Sequence, residues 1–189
     1  MKTLIVIPSR YASTRFPQKP LHLIAGKSLL SRVADIARIC AAGSPDISYV
    51  IATDHAPHTL EEKQNSYFKA PSGGPLVQHC LPALLDMYHQ NKISLEKIVE
   101  KTAHAVATLF EIEGRGYLRE GYHADIALVD LNSSWEVTSD NILYKCGWSP
   151  FEGHQFKSQV TQTIVSGNLV YDQGQLLEGT NGQRLAFDR

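Results

Sequence analysis

The chain has 189 residues, of which 43% are hydrophobic and 20% are charged, a composition typical of globular protein rather than of a disordered tail. Its 18 Lys and Arg residues face 19 Asp and Glu residues, and the net charge of -1 gives no general attraction to nucleic acid or to an anionic membrane. No apolar run approaches the length of about 20 residues that a membrane-spanning helix needs, and the 3 widely separated cysteines predict reduced thiols in a cytoplasmic protein.

The first predicted elements form a βαβ-like opening. Residues 4–7 are a short β-branched run that ends at Pro8, a pattern typical of a buried parallel strand. Ser28 can cap a helix whose apolar residues share one face up to Cys40. Residues 47–52 form a second predicted strand, and we expect the two strands to run parallel.

A loop is predicted from Thr59 to Gly74, and two helices follow it. Leu76–His89 carries apolar residues at helical spacing, with Pro82 near its first turn. Ser94 caps the second helix. Its buried stripe is predicted to consist of Leu95, Ile98, Val99, Thr102, Val106 and Leu109.

After Gly116 the pattern changes to short β-rich runs separated by turn residues. The runs at 126–129, 160–165 and 168–171 predict a small antiparallel β unit. Three aromatic residues are expected to fill the junction between this unit and the helices: Trp135, Trp148 and Phe151. Two histidines on apolar helix faces are interpreted as core residues: His79 and His104.

A basic loop follows the first predicted strand. Arg10, Arg15 and Lys19 place three cations within ten residues, and loops at the carboxyl ends of parallel strands are where α/β folds bind ligands. Forked arginine donors together with a lysine point charge suit a triphosphate. On charge alone, a solvated basic loop is the commoner explanation of such a run.

The order of residues from Ile7 to Leu21, with the turn at residues 24–27, resembles the amino-terminal signature of 3-deoxy-manno-octulosonate cytidylyltransferase (CMP-Kdo synthetase) over about residues 1–55. The resemblance implies an enzyme that activates Kdo with CTP and Mg²⁺, and in which this loop binds the CTP. The phosphate contacts would be Arg10, Arg15 and Lys19. Gln18 stands where that family usually has glycine, and the family's acidic Mg²⁺ ligands and sugar-binding region have no counterpart after His58.

An aspartate and two histidines follow the apolar residues 49–52 at the end of the second predicted strand: Asp54, His55 and His58. Metal-dependent hydrolases built on barrels present their ligands at strand ends in this way. In isolation, however, such a cluster is more often a capped turn or a surface loop than a metal site.

Longer stretches around this cluster resemble the carboxy-terminal part of a dihydroorotase, an amidohydrolase of pyrimidine synthesis, over about residues 51–189. The matching segments are residues 53–58, 70–74, 101–104, 121–126, 144–153 and 164–170. Agreement over so many segments is more specific than any single motif. The resemblance implies zinc-dependent, reversible closure of N-carbamoyl-L-aspartate to dihydroorotate.

By this resemblance Asp54 is the metal ligand and proton shuttle, and His58 holds a carboxylate of the substrate. The backbone of Ser72 and Gly73 contacts the pyrimidine ring, where glycine permits close approach. His55 is placed beside the metal ligands rather than among them. The other ligands of a binuclear amidohydrolase, including an H-x-H pair, have no counterpart before Asp54, so we expect the isolated chain to be inactive.

The sequence is therefore interpreted as a chimera of three segments. Residues 1–50 are a cytidylyltransferase-like βα fragment, residues 51–115 the end of an amidohydrolase barrel, and residues 116–189 the amidohydrolase C-terminal β segment. The predicted fold class is α/β, with an incomplete parallel βαβ opening followed by helices that are a partial TIM-barrel remnant and by a small C-terminal β unit.

Three functional hypotheses follow from this interpretation: a dihydroorotase-like hydrolase, a CTP-dependent transferase, and a non-catalytic scaffold. The first two act on small molecules, and none of the three binds nucleic acid or membrane. One or two strands cannot close an eight-stranded barrel, so strand edges and apolar helix faces are expected to stay exposed. We therefore expect the chain to self-associate.

Overall fold

The computed structural model describes the backbone of residues 23–24 and 27–28, and residues 50–66, 68–179 and 182–188 in full. The predicted strand at 4–7, the helix expected after Ser28 and the basic loop with its three cations lie outside the described residues. Strands β1 (Leu23–Ile24) and β2 (Lys27–Ser28) pair antiparallel with Ile24 opposite Lys27, which fits the predicted turn at residues 24–27. None of the described helices is long and apolar enough to span a membrane.

Two compact units interleave along the chain. The first, here called the loop unit, consists of Met1–Gln78 and Ile142–Pro150; the second, here called the core unit, consists of His79–Asn141 and Phe151–Arg189. The predicted segments 1–50, 51–115 and 116–189 concern ancestry rather than contacts, and they stay a prediction.

The loop unit contains one short helix among its described residues, α1 (Leu60–Lys63). Thr59 and Glu62 form a capping box at its start, so the prediction of an unbroken loop from Thr59 to Gly74 is wrong here. The second predicted strand is also wrong in its described part, because residues 50–52 pair with no neighbouring segment there.

The helices of the core unit begin with α2 (Cys80–His89), which starts later than the predicted Leu76. The N–H groups of Leu76 and Val77 donate instead to the imidazole of His55. Helix α3 (Leu95–Val99) follows, and Ser94 caps it as predicted by accepting from the Lys97 N–H at 3.3 Å. A π-helical turn (Glu100–His104) leads into α4 (Ala105–Phe110).

The π turn changes which helix face is buried. Ile98 is buried as predicted, but Val99 is 47% exposed and the buried positions that follow are Lys101 and Ala107. A π turn bonds residue i to i+5 and so rotates all later side chains relative to an α-helix. The other predicted members of the stripe are only half-buried: Leu95, Thr102, Val106 and Leu109.

The predicted antiparallel β unit is confirmed. Its four strands are β3 (Ile126–Asp130), β6 (Gln159–Val165), β7 (Asn168–Asp172) and β8 (Gln175–Leu176), in the order β3-β6-β7-β8. All neighbours are antiparallel, and the register shifts between Leu128 and Val129 and between Thr163 and Ile164. A separate pair joins β4 (Trp135–Glu136) to β5 (Gln155–Phe156), and a 3₁₀ turn lies at Ser139–Asn141.

An aromatic cluster fills the centre of the core unit. Phe156 is 0% exposed, and its ring lies 5.4 Å from Trp135, 5.4 Å from Phe151 and 6.0 Å from His79. His79 is therefore confirmed as a core residue, and the half-buried Trp135 and Phe151 pack against the same cluster, as expected for residues that fill the junction of helices and β unit. His104 stacks on Tyr117 with 4.3 Å between ring centres, which also agrees with a packing role.

Candidate functional site

The loop unit brings the candidate substrate contacts onto two neighbouring segments. His55 and Gly74 form a parallel β-bridge, and the Ala56 N–H donates to the Gly74 carbonyl at 3.2 Å. The segment that carries Asp54 and His58 therefore lies beside the segment that carries Ser72 and Gly73. Residues 14 to 19 positions apart in sequence share one local structure because of this bridge.

The approach of the two segments depends on a glycine at position 73. The Gly73 φ angle is +113°, and a Cβ added there would lie 2.5 Å from the Ala56 Cβ. Real Cβ atoms do not approach so closely, and residues with side chains rarely adopt this φ. The expected close approach of Gly73 to the pyrimidine ring stays a prediction, because the neighbour that requires glycine here is Ala56.

Lys63 anchors the loop that contains Ser72 and Gly73. Its ammonium donates to the Pro71 carbonyl at 2.8 Å and to the Gly73 carbonyl at 2.9 Å. Both bonds are partly buried, where a charge-assisted bond is stronger than in water. Lys63 is the last residue of α1, so the capped helix fixes the origin of this side chain.

His58 is half-buried and has an acidic neighbour. Its Nδ1 lies 3.6 Å from Glu62 Oε2, which is an electrostatic contact longer than a hydrogen bond. The backbone N–H of Thr59 donates to the same carboxylate and is the largest of the contacts that hold the pKa of Glu62 below its ordinary value. A ligand carboxylate that bound His58 would compete with Glu62 for the imidazole.

The contacts of His55 support a structural role. Its Nδ1 accepts from the Leu76 N–H at 3.0 Å and from the Val77 N–H at 3.3 Å. The lone pair of this nitrogen is therefore engaged by the backbone. The ring centre lies 5.5 Å from that of Tyr144. His55 thus orders the chain between Gly74 and Gln78.

Asp54 is exposed and adopts a left-handed backbone conformation, with a φ of +49°. Such conformations are uncommon for residues other than glycine, and aspartate is among those that tolerate them best. The carboxylate stands at the turn that leads from the 50–53 segment into the bridge with Gly74.

The described residues do not fit a zinc centre around Asp54. Within residues 50–66, 68–179 and 182–188, no three His, Cys, Asp or Glu side chains come close enough together to hold a metal ion. A catalytic zinc normally keeps three protein ligands. The structure therefore gives no support to metal binding by Asp54 within this part of the chain.

Trp148 was missed as a site residue by the sequence analysis, which placed it at the junction of helices and β unit. It lies instead in the loop unit, where its indole N–H donates to the His58 carbonyl at 2.7 Å. The segment around it is fixed by two more bonds: the Gln78 N–H donates to the Tyr144 hydroxyl, and the Leu143 N–H donates to the Gln78 side chain, each at 2.9 Å. The one available signal was that a half-buried indole needs an acceptor.

The thiol of Cys80 lies in an environment that disfavours its reactive form. Cys80 and Cys146 form no disulfide within the described residues, and burial raises the pKa of the Cys80 thiol. A raised pKa disfavours the thiolate, which is the reactive form.

Two kinds of similarity to known proteins meet in this chain. A family model described as Cytidylyltransferase matches residues 4–64. The dihydroorotase of Pyrococcus furiosus is 37% identical over 191 residues, covering 96% of this chain and 45% of that protein. The dihydroorotase of Halobacterium salinarum is 41% identical over 123 residues, covering 65% of this chain and 29% of that protein.

Solved structures show a similar fold. The L-hydantoinase (dihydropyrimidinase) from Arthrobacter aurescens superposes with a TM-score of 0.63 at 26% identity, covering 77% of this chain and 38% of that one. The dihydropyrimidinase from Brevibacillus agri superposes with a TM-score of 0.64 at 23% identity, covering 84% of this chain and 35% of that one.

The chain is thus similar to dihydroorotases over most of its length and spans less than half the length of those relatives. The described α/β architecture is part of the fold that hydantoinases have. The Cytidylyltransferase match supports a chimeric origin, and the match to the P. furiosus protein overlaps it because it covers 96% of the chain.

Proposed function

We propose that this chain corresponds to the carboxy-terminal part of a dihydroorotase-like cyclic amide hydrolase, which interconverts N-carbamoyl-L-aspartate and dihydroorotate. Its similarity to dihydroorotases at 37% and 41% identity supports the proposal. The structural observation that carries it is the bridge between His55 and Gly74. This bridge brings together the two segments that hold the candidate substrate contacts.

The proposed roles follow from the chemistry of the side chains. His58 donates to a carboxylate of the substrate, and the backbone at Ser72 and Gly73 meets the polar edge of the ring. Opening the ring adds water across the cyclic amide, so one proton must pass from the water to the leaving nitrogen. The Asp54 carboxylate is exposed at the start of this site and is the proposed carrier of that proton.

The proposal includes substrate binding without turnover in the isolated chain. The resemblance to dihydroorotases implies a zinc ion, which would supply a Lewis acid and an activated water when bound. The described residues bring no three His, Cys, Asp or Glu side chains together for such a centre. Metal analysis after dialysis checks this: we expect less than stoichiometric zinc, and one zinc per chain that disappears in Asp54→Ala would overturn it.

A thermal melt followed by dye fluorescence tests the binding site itself. Dihydroorotate at 100 times its Kd stabilises a protein by about 2.7 kcal/mol if it binds only the folded state. We expect a rise in Tm that is lost in His58→Ala and kept in His123→Ala, which removes an exposed histidine of the core unit. An unchanged Tm for the parent chain at saturating dihydroorotate and carbamoyl aspartate would contradict the proposal.

A second candidate function is CTP-dependent activation of an acidic sugar with Mg²⁺, favoured by the Cytidylyltransferase match at residues 4–64. The proposed phosphate contacts are Arg10, Arg15 and Lys19, all outside the described residues. CTP binding measured by calorimetry with Mg²⁺ tests it. Binding that disappears in Lys19→Ala would support the transferase, and no binding by the parent chain would exclude it.

The third candidate is a non-catalytic scaffold that self-associates. Large apolar side chains are exposed on the core unit, among them Leu118 at 76% and Leu176 at 62%. Exposed apolar patches and strand edges promote association. We therefore propose that the purified chain is oligomeric, and a single sharp monomer peak in light scattering would count against it.

A further inference from the structure

The indole of Trp148 contacts both segments of the candidate site. Its N–H donates to the carbonyl of His58 at 2.7 Å, in a partly buried bond. Its Cη2 atom lies 3.9 Å from the position that a Cβ would take on Gly74, so the ring packs over this glycine at ordinary van der Waals distance. One rigid side chain thus touches the residue proposed to hold the substrate carboxylate and the residue next to Gly73.

The position of Trp148 is itself fixed by its own segment. The Cys146 thiol lies 3.8 Å from the Trp148 carbonyl, and Ser149 is buried. Tyr144 accepts from the Gln78 N–H and packs against His55. The segment 142–150 is therefore held on the 55–78 segment at several points, and the indole does not have to find its place when a ligand arrives.

The side chain at position 148 makes two separable contacts, a hydrogen bond through its N–H group and packing through its ring. Tryptophan has one N–H donor and no acceptor, so the indole can bond the His58 carbonyl but cannot accept a bond from a competing group. Phenylalanine would retain most of the ring contact over Gly74 and lose the donor. The hydrogen bond and the packing can therefore be separated by one substitution.

We propose that Trp148 is a positioning residue that sets the separation between the His58 side and the Gly73 side of the site. The predicted effect on substrate affinity rests on the proposed dihydroorotase-like function. The predicted effect on the positions of His58 and Gly73 does not depend on turnover or on zinc. It predicts that loss of the indole N–H moves the His58 ring relative to the Ser72–Gly73 backbone while the core unit is unaffected.

The test compares Trp148→Phe with Trp135→Phe. The control is matched, because the Trp135 N–H also donates to a backbone carbonyl, that of Ser158 at 3.0 Å, but in the core unit. Two-dimensional NMR follows the imidazole signals of His58, assigned with His58→Ala, and the amide signal of Gly73. The same samples are titrated with dihydroorotate.

In Trp148→Phe we expect the His58 and Gly73 signals to shift while those of His123 and His154 stay in place. Affinity for dihydroorotate should fall about tenfold, the effect of one lost hydrogen bond to a partly buried carbonyl. Trp135→Phe should lower the Tm while the affinity stays within about twofold of the parent value. A substitution at Trp148 that only weakened the fold would instead lower the Tm and leave the affinity for dihydroorotate unchanged.

The failure of this inference can be distinguished from failure of the proposed function. If Trp148→Phe leaves the His58 and Gly73 signals and the affinity unchanged, or if Trp135→Phe changes them equally, Trp148 does not position the site. If the parent chain binds no dihydroorotate, the proposed function fails. The His58 and Gly73 signals then decide alone whether Trp148 positions the two segments.

Discussion

Different interactions stabilise the described part of the loop unit and the described part of the core unit. In the loop unit, side chains bond to the backbone of distant segments: Lys63 to Pro71 and Gly73, and Trp148 to His58. In the core unit a four-stranded ladder and a cluster of buried rings around Phe156 supply the order. Polar tethers fix geometry with little buried apolar area, whereas ring packing supplies stability.

All candidate substrate contacts belong to the loop unit, whereas most of the buried hydrophobic side chains among the described residues belong to the core unit. Binding residues commonly lie on loops that a more stable scaffold supports. Substitutions in the two units should therefore affect stability and binding separately.

Phe156→Ala should have the largest effect on stability. The side chain is 0% exposed and contacts four other rings, so its removal leaves a cavity and costs about 3–5 kcal/mol. Denaturant unfolding measures the loss. The matched control is Phe68→Ala in the loop unit, where the ring is 94% exposed and the change should stay within about 0.5 kcal/mol. Equal losses would contradict the assignment of stability to the core unit.

Acid should destabilise the core unit through His79. Burial lowers the pKa of this histidine from 6.5 to about 4, so between these values the unfolded chain takes up a proton that the folded chain does not. The contribution of neutral His79 to the free energy of unfolding is therefore complete above pH 6.5, and it is lost as the pH falls toward 4, by up to about 3 kcal/mol.

Urea unfolding at a series of pH values measures this contribution. His79→Leu should flatten the dependence between pH 6.5 and 4 whatever its own stability, and His123→Leu, at an exposed position, should retain it. A slope that His79→Leu leaves unchanged would show that another group titrates.

Gly73→Ala should disturb the loop unit alone. The added methyl group would meet the Ala56 Cβ at 2.5 Å with a φ of +113°, at a cost of about 1–3 kcal/mol. Hydrogen exchange of the Ala56 amide, which donates to the Gly74 carbonyl, should accelerate. Gly121→Ala is the control, because its φ is +79° with no atom within 4 Å, so that only the φ preference of about 1 kcal/mol is lost.

The smallest predicted losses of stability come from substitutions at two helix caps. Thr59→Ala and Ser94→Ala each remove an oxygen that accepts from a helix N–H, worth about 1 kcal/mol. Ser94→Ala should lower the global free energy of unfolding, because α3 contributes buried Ile98 to the core unit. Thr59→Ala should only speed local exchange at Glu62 and Lys63. A global loss in Thr59→Ala would mean that the loop unit stabilises the whole fold.

Local patterns in the sequence predicted the β unit and the Ser94 cap. Strands β3, β6 and β7 are marked by β-branched runs between turn residues, and hydrogen-bonded neighbours follow closely along the chain. The Thr59–Glu62 capping box was equally local, but no apolar run follows it, and the helix was missed.

Features set by distant contacts were not predictable in the same way. The π turn at Glu100–His104 shifts the buried face by tertiary packing, so a constant helical period misplaced Val99 and Lys101. The segment from residue 50 to 52 has strand-like composition, but composition does not supply the neighbour that a strand needs.

In the candidate site, too, some residues were identified from the sequence, and one that depends on a distant contact was not. Asp54, His58, Ser72 and Gly73 were identified by family resemblance, and the structure places them on two bridged segments. Trp148 was assigned to the wrong contact, because its acceptor lies 90 positions earlier in the chain and no spacing rule connects the two.

That separation of 90 positions also has a consequence for biosynthesis. At about 5–20 residues per second, roughly 5–20 seconds pass between synthesis of His58 and synthesis of Trp148. Residues 79–141, the larger part of the core unit, emerge in that interval. Strands β6, β7 and β8 and the buried Phe156 are synthesised after Trp148, so the candidate binding loops can receive the indole contact before the ladder and the ring cluster of the core unit are complete.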